Sequence, residues 1–183
     1  MTTFILAMLA IGFLQISVTY RHALLFNKAS IGKLILVSMV LTTSNGLMAW
    51  IALLFSNAIR ENMFFDSAWA ALFILFMLAF KAYFNTRKSK LAENVFDITQ
   101  FKLLFLLGLA TSFEVFMAVT GAAMIEIQLL YALIVAVVVS LLFSLLGFLA
   151  GRRPGQLTSI RIFILFASVF YLLAALSTIY FLL

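Results

Sequence analysis

The chain has 183 residues, of which 66% are hydrophobic and 10% charged, and its mean hydropathy is +1.23. That balance leaves too little polar surface for a soluble domain, and apolar stretches of about 20 residues exclude a barrel built from strands of about 10. The net charge of +6 is assigned to loop cations rather than to a nucleic-acid surface, and with no cysteine there is neither disulfide nor thiolate metal site.

The hydropathy pattern predicts six helices, over residues 4–20, 34–55, 68–84, 103–124, 129–150 and 162–183. Ahead of the first, Met1-Thr2-Thr3 carries no cation, so it lacks the basic region of a cleaved signal and helix 1 is expected to stay. The single proline, Pro154, falls in a loop, and no span contains a proline kink.

Arg21, Lys28 and Lys33 belong to or flank the connection after helix 1. Lys81, Arg87, Lys88, Lys90 and Lys102 do the same after helix 3, and Arg152, Arg153 and Arg161 after helix 5. The other two connections offer Arg60 beside Glu61 and Asp66, and Glu126. The positive-inside rule then puts the first three connections in the cytoplasm and both termini on the other side. Trp50, Trp69, Tyr83, Tyr131 and Tyr180 fall near predicted helix ends and read as interfacial anchors.

The most hydrophilic segment, Asn85 to Gln100, separates two sets of three helices. The predicted organisation is a first three-helix repeat over residues 1–84, a basic cytoplasmic linker over 85–102 and a second repeat over 103–183. Because three is odd, the second set enters the membrane from the opposite side. The predicted fold is therefore an all-α integral membrane protein of six transmembrane helices in two inverted three-helix repeats, N-out/C-out. Leu9-Ala10-Ile11-Gly12-Phe13-Leu14 and Leu109-Ala110-Thr111-Ser112-Phe113-Glu114 share Leu, Ala and Phe in register.

Glu114 is the acid inside a span, near the middle of helix 4, where a carboxylate is costly unless it is protonated, paired or facing a wet cavity. The plain alternative is a protonated Glu114 hydrogen-bonded to a neighbouring helix. Thr111 lies one turn earlier on the same face, extended by the small residues Gly108 and Ala118. Helix 2 has a polar interruption at matching depth, Thr42-Thr43-Ser44-Asn45-Gly46, whose plain reading is interhelical hydrogen bonding. Helix 5 carries Ala132, Ala136, Ser140 and Ser144 at four-residue spacing, then Gly147 and Gly151, a packing stripe. His22 is read as solvated or in contact with a headgroup, and the 21 phenylalanines as scattered packing bulk. No phosphate loop, nucleophile elbow or paired-histidine motif is present, which disfavours an ATP-driven pump or an enzyme.

From Leu107 to about Gly155 the chain resembles the bacterial manganese-efflux pump family of the lysine-exporter-like superfamily. The residues that carry the resemblance are Ala110-Thr111-Ser112-Phe113-Glu114, Gly121, Ser144-Leu145-Leu146-Gly147 and Gly151-Arg152 to Gly155. It implies inverted three-helix repeats and export of a small cation through a midplane site, with Glu114 in place of the family's helix 4 aspartate as a hard oxygen ligand for a metal. The family's helix 1 aspartate corresponds to Phe13, Leu14 or Gln15, so the second carboxylate is missing. One carboxylate balances half the charge of a divalent ion, and a monovalent ion, a proton or an organic solute fits better.

The expected function is a secondary transporter or exporter of a small cation or solute in a bacterial cytoplasmic (inner) membrane. Its site is expected to comprise Glu114, Thr111, Asn45, Ser44 and Gln15. The alternative is a relative that has lost transport and serves as a structural or regulatory subunit of a larger membrane complex. No resident cofactor is expected, only a transported cation; the expected partners are the lipid bilayer and further copies or subunits, without nucleic acid.

Overall fold

A computed structural model describes residues 1–25, 31–62, 66–87, 101–125, 129–151, 158–180 and 182. They form α1 (Thr2–Leu25), α2 (Ile31–Asn62), α3 (Ser67–Arg87), α4 (Phe101–Ala123), α5 (Leu129–Gly151) and α6 (Thr158–Ile179). Among the described residues, six helices are long and apolar enough to cross a membrane. In hydrocarbon a backbone amide has no partner except its own helix, so long apolar runs free of proline have one stable form. Linker residues 88–100, Lys28, Glu126, Arg152, Arg153 and Pro154 lie outside the described residues.

The helices pack as a two-by-three array. One row is α5, α1, α6 and the other α2, α4, α3, with α5 against α2, α1 against α4 and α6 against α3. The central helices α1 and α4 meet along the thinnest of these contacts, and each is flanked by two neighbours in its own row. Every substantial contact joins a helix of the first three to one of the last three.

Small residues and buried hydroxyls set these contacts. A Cβ on Gly147 would collide with the Thr19 hydroxyl and come within 2.9 Å of the Ile16 carbonyl oxygen, while one on Gly151 would lie 2.6 Å from the Tyr20 carbonyl oxygen. Gly147 and Gly151 of the predicted stripe thus bring the α5 backbone onto α1, while its Ser140 and Ser144 hydroxyls meet α2. Gly147→Val is expected to destabilise the protein by about 1–3 kcal/mol, the usual cost of overpacking. Its thermal midpoint in nanodiscs should fall accordingly. In the other row, a Cβ on Gly108 would lie 2.8 Å from Ser44 Oγ. The Ser56 hydroxyl donates to the carbonyls of Ala52 and Thr120 at 2.8 and 3.1 Å, and Ser168 donates across from α6 to the Ala79 carbonyl at 2.9 Å. Each such interhelical bond contributes about 0.6 kcal/mol in a membrane, so they fix register more than they supply stability.

The structure corrects several expectations. α1 runs on to Leu25, which places Arg21 and His22 in the helix rather than in a loop. His22 is fully buried, with Nδ1 2.7 Å from the Val18 carbonyl oxygen; it is not solvated. Trp50 sits well inside α2, which extends to Asn62, so it is not at a helix end. Four of the phenylalanines are gathered rather than scattered: Phe13 stacks on Phe166 and Phe170 and meets Phe143 edge-on.

Candidate functional site

Glu114 faces out of the middle of α4 between α1 and α3, and its side chain is 26% exposed. Its carboxylate is paired: Lys81 Nζ of α3 lies 2.7 Å from Oε1. Lys81, one of the cations flanking the connection after helix 3, lies inside the predicted span 68–84 and within α3, more than a turn before the helix ends at Arg87. Of the three ways to keep a carboxylate in hydrocarbon, the protein uses a counter-charge.

On the α1 side, Glu114 and Thr111 border a cavity whose other walls are Gln15, Ile11, Leu14, Val18 and Val115. Its volume of about 10 Å³ is room for one water. The Thr111 hydroxyl donates back to the carbonyls of Leu107 and Gly108, both at 3.0 Å, which leaves its oxygen lone pairs for another donor or a cation. Of the three candidates for the missing helix 1 acid, Phe13 belongs to the aromatic cluster and Leu14 is apolar. Gln15 is the polar group that shares this cavity with Glu114.

Gln15 also connects the cavity to α2 and α5. The Asn45 amide nitrogen donates to Gln15 Oε1 at 3.1 Å and to Ser140 Oγ at 2.7 Å. All three residues are buried, and the Asn45 carbonyl oxygen and the Gln15 amide nitrogen are left without a hydrogen-bond partner among the described residues. Glu114, Thr111, Gln15 and Asn45 therefore form a connected group. Ser44 is turned away from it and packs against Gly108. A separate groove of about 430 Å³ between α2 and α5 is walled by Thr42, Thr43, Gly46, Trp50, Leu133 and Val137.

Three residues enter the site that the sequence reading did not include. Lys81 pairs with Glu114, and Ser140 completes the Asn45 contacts. Tyr171 of α6 is fully buried within electrostatic reach of Glu114, and its hydroxyl has no hydrogen-bond partner among the described residues. A signal for Lys81 exists, since a cation preceded by an apolar run and followed by Ala82, Tyr83 and Phe84 is still inside a span. Nothing in the spacing of α6 marks Tyr171. Among the described residues, no three His, Cys, Asp or Glu side chains cluster as a metal-binding group.

Six helices long and apolar enough to cross a membrane define a multi-pass membrane protein. Residues 28–176 match the model of the manganese efflux pump family, Mntp, and the chain belongs to that family. The match begins after α1 and ends within α6, well beyond the segment whose motifs carry the resemblance. No curated protein and no solved structure matches the chain.

Proposed function

We propose that this protein is an exporter of the bacterial cytoplasmic membrane in which Glu114 binds a singly charged cation or a proton, with Gln15, Thr111 and Asn45 supplying neutral oxygens and amides. The observation that carries the reading is the Lys81–Glu114 ion pair at the edge of the α1–α4 cavity. When the ammonium leaves, the carboxylate needs one positive charge to replace it. A proton or monovalent ion does so one for one, whereas a divalent ion leaves a net positive charge in hydrocarbon, at a cost of several kcal/mol. Lys81 then acts as the internal cation that re-occupies Glu114 after release.

The inverted-repeat organisation is part of the same proposal. Exchanging α1 with α4, α2 with α5 and α3 with α6 converts the set of helix contacts into itself and swaps the two rows of the array. That is what a twofold axis in the membrane plane would do. Movement of the rows past each other would centre on α1–α4, the thinnest of the three contacts between the rows. The orientation with both termini outside rests on the basic helix ends around Lys33, Arg87, Lys102 and Arg161.

Purified protein in proteoliposomes should carry protons or a monovalent cation down an imposed gradient, while Mn²⁺ flux stays at the level of protein-free liposomes. Mn²⁺ flux well above that level, with monovalent and proton fluxes at background, would overturn the charge argument. The reading as a transport-inactive subunit is favoured by the closed state of the site, where the carboxylate is paired and the cavity admits one water. It predicts no flux of any ion and a stoichiometric partner on purification in mild detergent.

A further inference from the structure

The seam between α2 and α5 extends the polar groups of the Glu114 site, Asn45 and Ser140, with Ser38, Thr42 and Ser144, which that site does not use. Ser38, Thr42 and Asn45 follow one face of α2 at helical spacing, and Ser140 and Ser144 follow the facing side of α5. The Ser144 hydroxyl donates to Ser38 Oγ at 3.1 Å, and one to two turns further along, Asn45 donates to Ser140 at 2.7 Å. Between them Thr42 is 7% exposed and its hydroxyl has no partner. The Asn45 carbonyl oxygen and the Gln15 amide nitrogen, on residues 1% and 3% exposed, have none either.

At other helix contacts Ser56 and Ser168 each find a carbonyl, and the Thr120 and Tyr171 hydroxyls are orphaned too. Here, however, the orphaned groups of Asn45 and Gln15 sit on side chains bonded to each other, one turn from that of Thr42. Consecutive unsatisfied groups are costly in hydrocarbon and are satisfied when water reaches them. Through Gln15 the series ends at the cavity beside Glu114. Toward the α2 N-terminus it is capped by a cluster separate from the main core, in which Leu34, Val37, Leu41, Leu104 and Leu107 surround the fully buried Phe148. This is the end of the bundle at which Lys33 and Lys102 begin their helices.

We propose that the α2–α5 seam is a hydrated path along which the cation reaches Glu114, closed at its basic end by Phe148 and the leucines around it as a hydrophobic gate. The cation rests on the transport reading above; the hydration and the gate do not. Hydroxyls of Ser38, Ser144, Thr42 and Ser140 replace part of the hydration shell of a singly charged ion without adding charge. An apolar constriction blocks ion passage by dewetting, and swinging or shortening Phe148 wets it.

The absence of cysteine makes the test direct. Thr42→Cys and Ser144→Cys are placed singly, with Ser168→Cys as a buried control, and each is reacted in vesicles with a membrane-impermeant cationic methanethiosulfonate. Both seam cysteines should react at least tenfold faster than Ser168→Cys, and Phe148→Ala should raise their rates at least a further tenfold. Variants are compared as monodisperse protein, with Phe148→Leu in place of Phe148→Ala if the latter does not fold. Seam rates no greater than that of Ser168→Cys, with Phe148 shortened, overturn the path. Seam rates indifferent to Phe148 overturn the gate. Labelling needs no transport: reactive seam cysteines in a protein whose flux ignores Glu114→Gln would sink the transport reading and leave the path standing.

Discussion

Lys81→Met is expected to cost about 2.5–3.5 kcal/mol of stability in a lipid nanodisc, the scale on which a charge inside a membrane helix is penalised once its partner is gone. The substitution keeps the length and apolar stem of the side chain and removes the ammonium 2.7 Å from Glu114 Oε1. The carboxylate must then protonate or draw in water, and either route costs stability. Adding Glu114→Gln to Lys81→Met should restore most of the loss, because a neutral amide in the same place leaves no uncompensated charge. Thermal midpoints of the two single variants and the double variant decide it. A Lys81→Met protein as stable as the parent, or a double variant no better than Lys81→Met alone, would mean that the ion pair is incidental.

The second large effect concerns substrate charge. Gln15→Glu places a second carboxylate on the far wall of the cavity that Glu114 borders. Two carboxylates balance a divalent ion once Lys81 withdraws, and both are hard oxygen ligands suited to it. Apparent affinity for Mn²⁺ should rise at least about tenfold, the equivalent of about 1.4 kcal/mol. Monovalent or proton flux should fall, since the added charge leaves the site under-compensated with a single proton bound. Unaltered Mn²⁺ affinity in a folded Gln15→Glu protein would show that α1 and α4 do not share one cation site.

The six helices were legible because apolar runs of this length give the backbone one way to satisfy itself in lipid. The α5 stripe was legible for a related reason: small residues four apart have one strong use in a membrane, and Gly147 and Gly151 are pressed against α1 as expected. Glu114 stood out because a mid-span acid is expensive. Its partner did not, because a lysine within two turns of a helix end serves topology as readily as pairing, and only the placement of α3 beside α4 decides between them. His22 and Trp50 were misplaced through helix length, since α1 and α2 continue through polar residues that read as loop. Which of Phe13, Leu14 and Gln15 faces Glu114 is a matter of helix rotation, 100° per residue, and no single-sequence pattern fixes it when the helix is apolar on nearly every side. Ser140 joins the site because α5 packs against α2, and Tyr171 because α6 flanks α1, contacts between residues far apart in the chain.

The claim on which the rest depends is that the Glu114 carboxylate carries the transported charge. Glu114→Gln is nearly isosteric and removes only the ionisable group, so flux in proteoliposomes under an imposed proton or monovalent-cation gradient tests it most directly. The account predicts flux reduced to that of protein-free liposomes, with the variant still monodisperse and reconstituted in parental yield. Parental flux from Glu114→Gln would contradict it.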